Sequence, residues 1–263
     1  MANELERFVR NDLALVGSFS LPVKFAFTER TGGVSRPPYT SLNLGSHVGD
    51  DLECVLENRR RVLNMLDCEQ YADRLLVPNQ VHGDTVAVVS DASSQHLDEV
   101  RKQIAEGADA IVCTAKDVPV MLCYADCVPV VITCPNGFAV IHSGWRGTYA
   151  KIAAKAAGIL MDLTNTAPQN LQAWIGPHIL GDEYEVSFDL LQKFSARFGI
   201  IDNADSCLLD MSACISKSLE EVGVPPCSIH DAHLSTMRLN SRFFSYRLEE
   251  GKTGRHAAVA VMQ

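Results

Sequence analysis

Three short segments decide how this chain reads: Asn79-Gln80-Val81-His82-Gly83, Ala125-Asp126-Cys127-Val128-Pro129 and His142-Ser143-Gly144-Trp145-Arg146-Gly147-Thr148. Each lies at the end of an apolar run. Between and around them, Ala108 to Thr114, Val118 to Cys123, Val128 to Cys134 and Phe138 to His142 are four such runs separated by short turns. Continuous apolar runs of this length read as β-strands covered on both faces. Each segment also offers one soft or borderline metal ligand. His82, Cys127 and His142 form a two-imidazole, one-thiolate set, the ligand count of a catalytic zinc site with one position open to water or substrate. Taken singly, each of the three reads better as a structural residue. Their shared position at strand ends, two of them beside glycine, gives the set its weight.

Working outward, residues 12–17 and 21–28 read as two strands. The loop Arg30-Thr31-Gly32-Gly33-Val34-Ser35 follows, and could cradle an anion on exposed backbone N–H groups or be a plain surface turn. In Ser41-Leu42-Asn43-Leu44-Gly45, Asn43 either points toward the metal set or caps a turn. Asp50-Asp51 precedes a helix with Val55, Leu56, Val62, Leu63 and Leu66 at helical spacing, and Arg59-Arg60-Arg61 falls on its solvated face. A strand begins at Leu75 to Val77 and continues over Thr85 to Val89, and a polar helix or loop carrying a surface His96 spans 90–106. Gly147-Thr148 opens a helix through about Leu163, with Thr148 as its N-cap, so that its first amides and Arg146 offer an anion pocket. Beyond it come a strand at Leu171 to Ile175, a helix after Tyr184 to Ser187, a helix over 211–222 capped by Asp210, and strands at Ser228 to Ile229, Phe243 to Tyr246 and His256 to Met262. Neither a linker nor a low-complexity segment interrupts residues 1–263, so one α+β domain is expected.

Composition narrows the function classes. The chain has 263 residues, with 23 Lys plus Arg and 32 Asp plus Glu, a net charge of −9. An acidic chain without a basic stripe is a poor partner for nucleic acid or an anionic membrane. Small-molecule substrates are expected instead. Nine cysteines, mostly within apolar runs, fit reduced buried thiols rather than a disulfide framework. The polar N-terminus and the lack of a bilayer-length apolar stretch lead to the expectation of a soluble cytoplasmic protein.

The three segments, with Arg30-Thr-Gly-Gly-Val-Ser, Ser41-Leu-Asn-Leu-Gly, Ile175-Gly-Pro, Phe244-Ser-Tyr-Arg and Thr253-Gly-Arg, closely resemble the laccase-domain, or YfiH-like, family over roughly residues 20–263. The resemblance implies that His82, Cys127 and His142 bind zinc. It also implies an α+β sandwich, with two central mixed sheets between helical layers. Members have been described as multicopper polyphenol oxidases, as purine nucleoside phosphorylases with adenosine deaminase activity, and as peptidoglycan editing amidases. The chain has 8 His in all and no His-X-His pair, too few imidazoles for several coppers. Nucleoside chemistry fits better: a zinc-activated water suits deamination at C6 of adenine, and an anion pocket suits phosphorolysis of adenosine and inosine. Arg30, Asn43 and Arg146 are the candidate substrate-binding residues for nucleoside and phosphate. Asp84, two residues after His82, is a weaker acid–base candidate, and Asp126 reads as orienting the Cys127 turn. An amidase on muramyl–amino-acid precursors and a metal-free hydrolase with Cys127 as nucleophile and His142 as base are the alternatives. A structural zinc would need a fourth ligand, for which His178 is the candidate.

Overall fold

The computed structural model describes residues 5–19, 22–199 and 207–263; Leu21, the expected start of the second strand, lies outside them. Two sheets stack face to face. The first has the order β1 (Glu6–Arg10), β2 (Leu13–Ser18), β3 (Val23–Thr28), β11 (His256–Met262), β6 (Val120–Tyr124), with every ladder antiparallel. One parallel bridge, Leu76 to Val120, extends it, and is all that remains of the strand expected at Leu75 to Val77. The second sheet runs β10 (Ile229–Asp231), β9 (Gln172–Ile175), β7 (Val128–Cys134), β8 (Gly137–Ser143), β5 (Ala110–Cys113), β4 (Val86–Val89), and is parallel at both edges and antiparallel between.

Strand alternation sorts the side chains into three cores. Phe25, Phe27, Leu122, Ala258 and Ala260 of the first sheet meet Ile111, Val131, Val140 and Trp174 of the second, closed at one side by Leu97, Val100 and Ile104 of α2 (Ser94–Glu106). The outer face of the first sheet, with Leu15, Met121, Val259 and Val261, packs on Val62, Leu63 and Leu66 around α1 (Leu52–Met65). The outer face of the second, with Val128, Val130, Ile132 and Ile141, packs on α4 (Ile152–Thr164), α5 (Phe188–Phe198) and α6 (Met211–Glu221). The result is the expected pair of central sheets between helical layers.

Local chemistry departs from the sequence reading in three places. The helix after His142 starts earlier, as the five-residue α3 (Trp145–Tyr149) with Gly144 as N-cap. Thr148 lies inside it, its hydroxyl 2.8 Å from that of Ser143, and left-handed Lys151 (φ 60°) separates it from α4. Phe243 to Tyr246 is not a strand. Glu249 accepts hydrogen bonds from Ser245 N, Asn240 and Thr253, so a side chain organises turns where a ladder was expected. The N-terminal strand β1 was unexpected. It is mostly exposed and joins β2 through Asn11 and Asp12, both at positive φ, the requirement of a tight two-residue hairpin.

Candidate active site

Cys127 sits where the chain crosses between the sheets, in the turn joining β6 to β7. His142 is on β8, and His82 is on the loop before β4. Their ligand atoms all lie within 4.8 Å of one another, and the two imidazoles meet edge to face with centroids 4.8 Å apart. A tetrahedral zinc requires ligand atoms roughly 3.5 Å apart, so the three converge on one point within a small adjustment.

Three devices hold them. The first is Asp109, fully buried at the entry to β5. Its Oδ1 accepts from Nδ1 of His142 (2.8 Å) and from the backbone N–H of His82 (3.0 Å), while Oδ2 accepts from the N–H of Gly83 (2.7 Å) and Val81 (3.2 Å). One carboxylate thereby fixes two ligand-bearing segments. It also holds the proton of His142 on Nδ1, leaving the Nε2 lone pair for a metal. The second device is Gln80, whose amide both donates to and accepts from the Cys123 backbone at 2.8 Å, tying the His82 loop to the end of β6. The third is Asp126, held at φ 86°, which accepts from the Thr236 hydroxyl (2.6 Å) and the Arg247 N–H (2.7 Å) and so orients the Cys127 turn, as expected.

Without a metal, the electrostatics favour a thiolate–imidazolium pair, and a metal that binds would displace the second proton of His142. Burial alone would push the Cys127 thiol up, but the adjacent His142 and His82 imidazoles outweigh it and bring the thiol down to about 6. Burial likewise opposes the charged form of His142, and the Cys127 thiolate with the Asp109 carboxylate reverses this and holds it up at about 9. A thiolate beside imidazoles is the state in which sulfur binds a soft cation or acts as a nucleophile. Gly144 closes the back of the site. A Cβ there would meet His82 Cδ2 at 3.2 Å and Cys127 Sγ at 3.3 Å, so any side chain at this position would press on both residues.

The cluster opens into a cavity of about 480 Å³. Besides the three residues of the cluster, its wall carries His47, Arg255, Arg247, Tyr184, Tyr246 and Gln80. Arg30, Asn43 and Arg146 are not on it. Arg30 pairs with Glu249, donates to the Thr40 and Asn240 carbonyls, and lies over the Phe244 ring. Arg146 is exposed and stacks on Trp145, because the short α3 turns it outward. Asn43 is buried and acts through its neighbours: its Oδ1 accepts from the Gly45 and Arg255 N–H groups. Asp84 is at the surface beside Lys155, away from the acid–base position expected for it. His178 is buried 2.7 Å from the Gly176 carbonyl and is no fourth ligand; His96 is half-buried and accepts from the Ser90 N–H. Asp109, His47 and Arg255 have no role assigned from the sequence alone, although Arg255 ends the Thr253-Gly-Arg segment.

The profile of a known family, described as multi-copper polyphenol oxidoreductase laccase, matches residues 24–263. The chain belongs to this family. It is 33% identical over 249 residues to a purine nucleoside phosphorylase of Corynebacterium glutamicum, spanning 90% of this chain and 94% of that one. It is 32% identical over 252 residues to a purine nucleoside phosphorylase of Deinococcus radiodurans, spanning 94% and 92%. In structure it is similar to YlmD from Geobacillus stearothermophilus, with a TM-score of 0.85 at 26% identity over 98% of both chains. It is also similar to the YfiH protein of Bacillus licheniformis, with a TM-score of 0.83 at 27% identity over 97% of both. The family's description implies several coppers. Among the described residues, only His82, Cys127 and His142 form a cluster of three or more potential ligands, which leaves further copper centres without a ligand set.

Proposed function

We propose that this chain is a zinc-dependent purine nucleoside phosphorylase acting on adenosine and inosine, with adenosine deamination as a side activity. The observation that carries the reading is the open three-ligand cluster at the base of a cavity walled by cations and aromatic rings, in a chain whose relatives are named purine nucleoside phosphorylases. Zinc suits the donor set better than blue copper. Among the described residues no methionine lines the cavity to serve as axial ligand, and Gln80, the alternative donor there, is spent on the Cys123 backbone. A zinc held by His82, Cys127 and His142 supplies Lewis acidity and lowers the pKa of water.

In phosphorolysis a phosphate oxygen forms a bond to C1′ of the ribose as the bond from C1′ to the base breaks. The purine leaves with the bonding pair and gains the proton that hydrogen phosphate gives up. The products are the free base and ribose 1-phosphate. The tyrosines Tyr184 and Tyr246 offer rings for the purine face, and the cations of the wall favour the anionic partner. Asp109 keeps His142 in one tautomer throughout, and Gln80 and Asp126 hold the His82 and Cys127 segments at fixed separation.

The Cys127–His142 ion pair also supports a second reading, a hydrolase with Cys127 as nucleophile and His142 as base. Metal content and alkylation separate the two. Protein purified without added metal is expected to contain about one zinc, and its Cys127 to resist iodoacetamide until a chelator is added. It is expected to convert inosine to hypoxanthine only with phosphate, and adenosine partly to inosine without it. Rapid alkylation of the zinc-loaded protein with matching loss of activity would support the cysteine hydrolase. Absence of nucleoside turnover, with cleavage of a muramyl–amino-acid amide, would move the assignment to the amidase.

A further inference from the structure

The cavity has two chemically distinct halves. One is the ligand cluster. The other is built by the segment from Asn43 to His47 and by Arg255, the residue just before β11. These parts are distant in sequence and are joined by hydrogen bonds: Asn43 Oδ1 accepts from the Arg255 N–H at 2.8 Å, and the Leu44 N–H donates to the Arg255 carbonyl at 3.0 Å. Gly45 lets them close on each other. A Cβ there would stand 2.8 Å from Cγ of Arg255 and 3.3 Å from Cε1 of His47. Arg59 of α1 backs the segment, donating from Nε and Nη2 to the Leu44 carbonyl at 3.0 and 2.8 Å.

Among the described residues, no carboxylate forms an ion pair with the cationic groups of this half, Arg255 included. The Nη1 of Arg255 donates to the Thr253 and Gly254 carbonyls at 3.0 and 2.9 Å, its Cζ lies 5.5 Å from the Tyr246 ring centroid, and among the described residues Nε and Nη2 have no hydrogen-bond acceptor. Asp126, the acidic side chain on the cavity wall, makes no ion pair with Arg255 among the described residues; its hydrogen bonds come from Thr236 and the Arg247 backbone, and its charge and that of the Cys127 thiolate only partly offset the cost of burying the guanidinium. Burial, followed by the charges of Arg255, Arg59, His82 and His142, pulls the His47 imidazole below its ordinary range, which leaves it neutral and able to donate one hydrogen bond. A half-buried guanidinium with free donors beside an imidazole is a costly arrangement when empty, and a ligand bearing negative charge relieves it.

We infer that Arg255 and His47 form the subsite for a phosphate dianion, positioned by Asn43 and kept open by Gly45. The inference rests on the phosphorolytic reading of the same cavity. It moves the anion pocket away from Arg146 and Arg30 to the wall facing the ligand cluster, where a nucleoside between the two halves presents its C1′ to the phosphate. Asn43 is a positioning residue, since it reaches the cavity only through Gly45 and Arg255.

The test is calorimetric titration of inorganic phosphate into the zinc-loaded protein without nucleoside, alongside initial rates of phosphorolysis and deamination. Arg255→Met is expected to weaken phosphate binding at least tenfold and His47→Gln at least threefold. The KM for phosphate should rise in proportion, and phosphate-independent deamination should change less than the phosphorolysis rate. Adenosine monophosphate titrated in the same way distinguishes a free phosphate from one carried by a nucleotide; competition with inorganic phosphate that is lost in Arg255→Met supports the same subsite. Should Arg255→Met fail to fold, Arg255→Lys and His47→Gln decide the matter by the same readouts. Unchanged phosphate affinity in the Arg255 and His47 variants, or loss of affinity in Arg146→Ala instead, would overturn the inference. Phosphate binding that depends on Arg255, in a protein that turns over no nucleoside, would keep the subsite and reject the phosphorylase. Phosphorolysis with an unaltered KM for phosphate in both variants would do the reverse.

Discussion

Replacing Asp109 by Asn removes one charge and exchanges one acceptor for a donor, at a group that receives four hydrogen bonds from two ligand-bearing segments. Neither orientation of the amide satisfies the site. With its oxygen toward His142, the NH₂ faces the Gly83 and Val81 N–H groups, donor against donor. With the NH₂ toward His142, Nδ1 must become the acceptor, the imidazole proton shifts to Nε2, and the lone pair a metal needs is lost. Loss of such an outer partner costs about 10–100-fold in metal affinity, or about 1.4–2.7 kcal/mol. The metal-free protein suffers too, because hydrogen bonds to a buried charge contribute about 1.5–3 kcal/mol each and at least one backbone N–H is left facing another donor. A loss of about 3 kcal/mol in unfolding free energy is expected without metal.

The assay is zinc competition against a chromophoric chelator at fixed pH, with urea unfolding of the metal-free forms for the stability term. Asp109→Asn should retain near-native secondary structure, bind zinc at least tenfold more weakly, and unfold at lower urea. Zinc affinity within twofold of the parent, with an unchanged unfolding midpoint, would refute the argument that Asp109 sets the tautomer of His142 and the path of the His82 loop.

Gly144→Ala places a methyl 3.2–3.3 Å from the His82 and Cys127 side chains, and should weaken zinc binding several-fold while shifting the melting temperature of the metal-free protein little; an unchanged chelator competition curve would count against it. His256, fully buried between Tyr124 and Phe243 with no hydrogen-bond partner at either ring nitrogen, is held by burial at about 3, far below its unfolded value of 6.5, against the opposing pull of the Pro177 backbone. The unfolded chain therefore binds a proton between pH 6.5 and 3 that the folded one refuses, so this residue's contribution is intact above 6.5 and drains away as pH falls through that window, by about 2 kcal/mol between pH 7 and 5. His256→Phe should lose correspondingly less stability than the parent over that interval in urea titrations at the two pH values, and equal losses would sink the assignment.

The legible parts of this fold were those where side-chain chemistry and local pattern agree. The run from His256 to Met262 and that from Val128 to Cys134 are apolar at nearly every position because both faces of each strand are covered, and both strands have the bounds read from the sequence. The convergence of His82, Cys127 and His142 into one cluster was legible, because two imidazoles and a thiol at strand ends suggest a shared site. Asp109 was not, since one acid at the edge of the run from Ala108 to Thr114 shows its purpose only once the His82 loop and β8 are brought against it. His47 and Arg255 were hidden for the same reason: their link passes through Asn43, a residue whose pattern fits a turn cap equally well. Arg146 drew the anion role from its neighbours in sequence, yet a five-residue helix beginning at Trp145 turns its side chain away from the cavity. Phe243 to Tyr246 has the composition of a strand, but Glu249 offers its backbone a closer partner.

The two sheets make unequal contributions to the cavity, and the inequality bears on how the proposed reaction is organised. His142 and the loop carrying His82 belong to the second sheet, Arg255 leads into β11 of the first, and Cys127 lies in the crossing from β6 to β7. The first sheet thus carries the proposed anion half and the second the proposed metal half, with Gln80 bridging them at the Cys123 backbone. On the phosphorolytic reading the distance between phosphate and metal is set by the packing of one sheet on the other. Phe25, Trp174, Val131 and Ala258 fill that interface and are buried. Protein interiors pack densely enough that a lost methylene is felt as a shift or a void, and misplacing reacting groups by about 1 Å costs on the order of 100-fold in rate. A cavity-creating change in the inter-sheet core, remote from every ligand, should therefore depress phosphorolysis far more than zinc or phosphate binding measured separately, because each half stays intact while their separation does not.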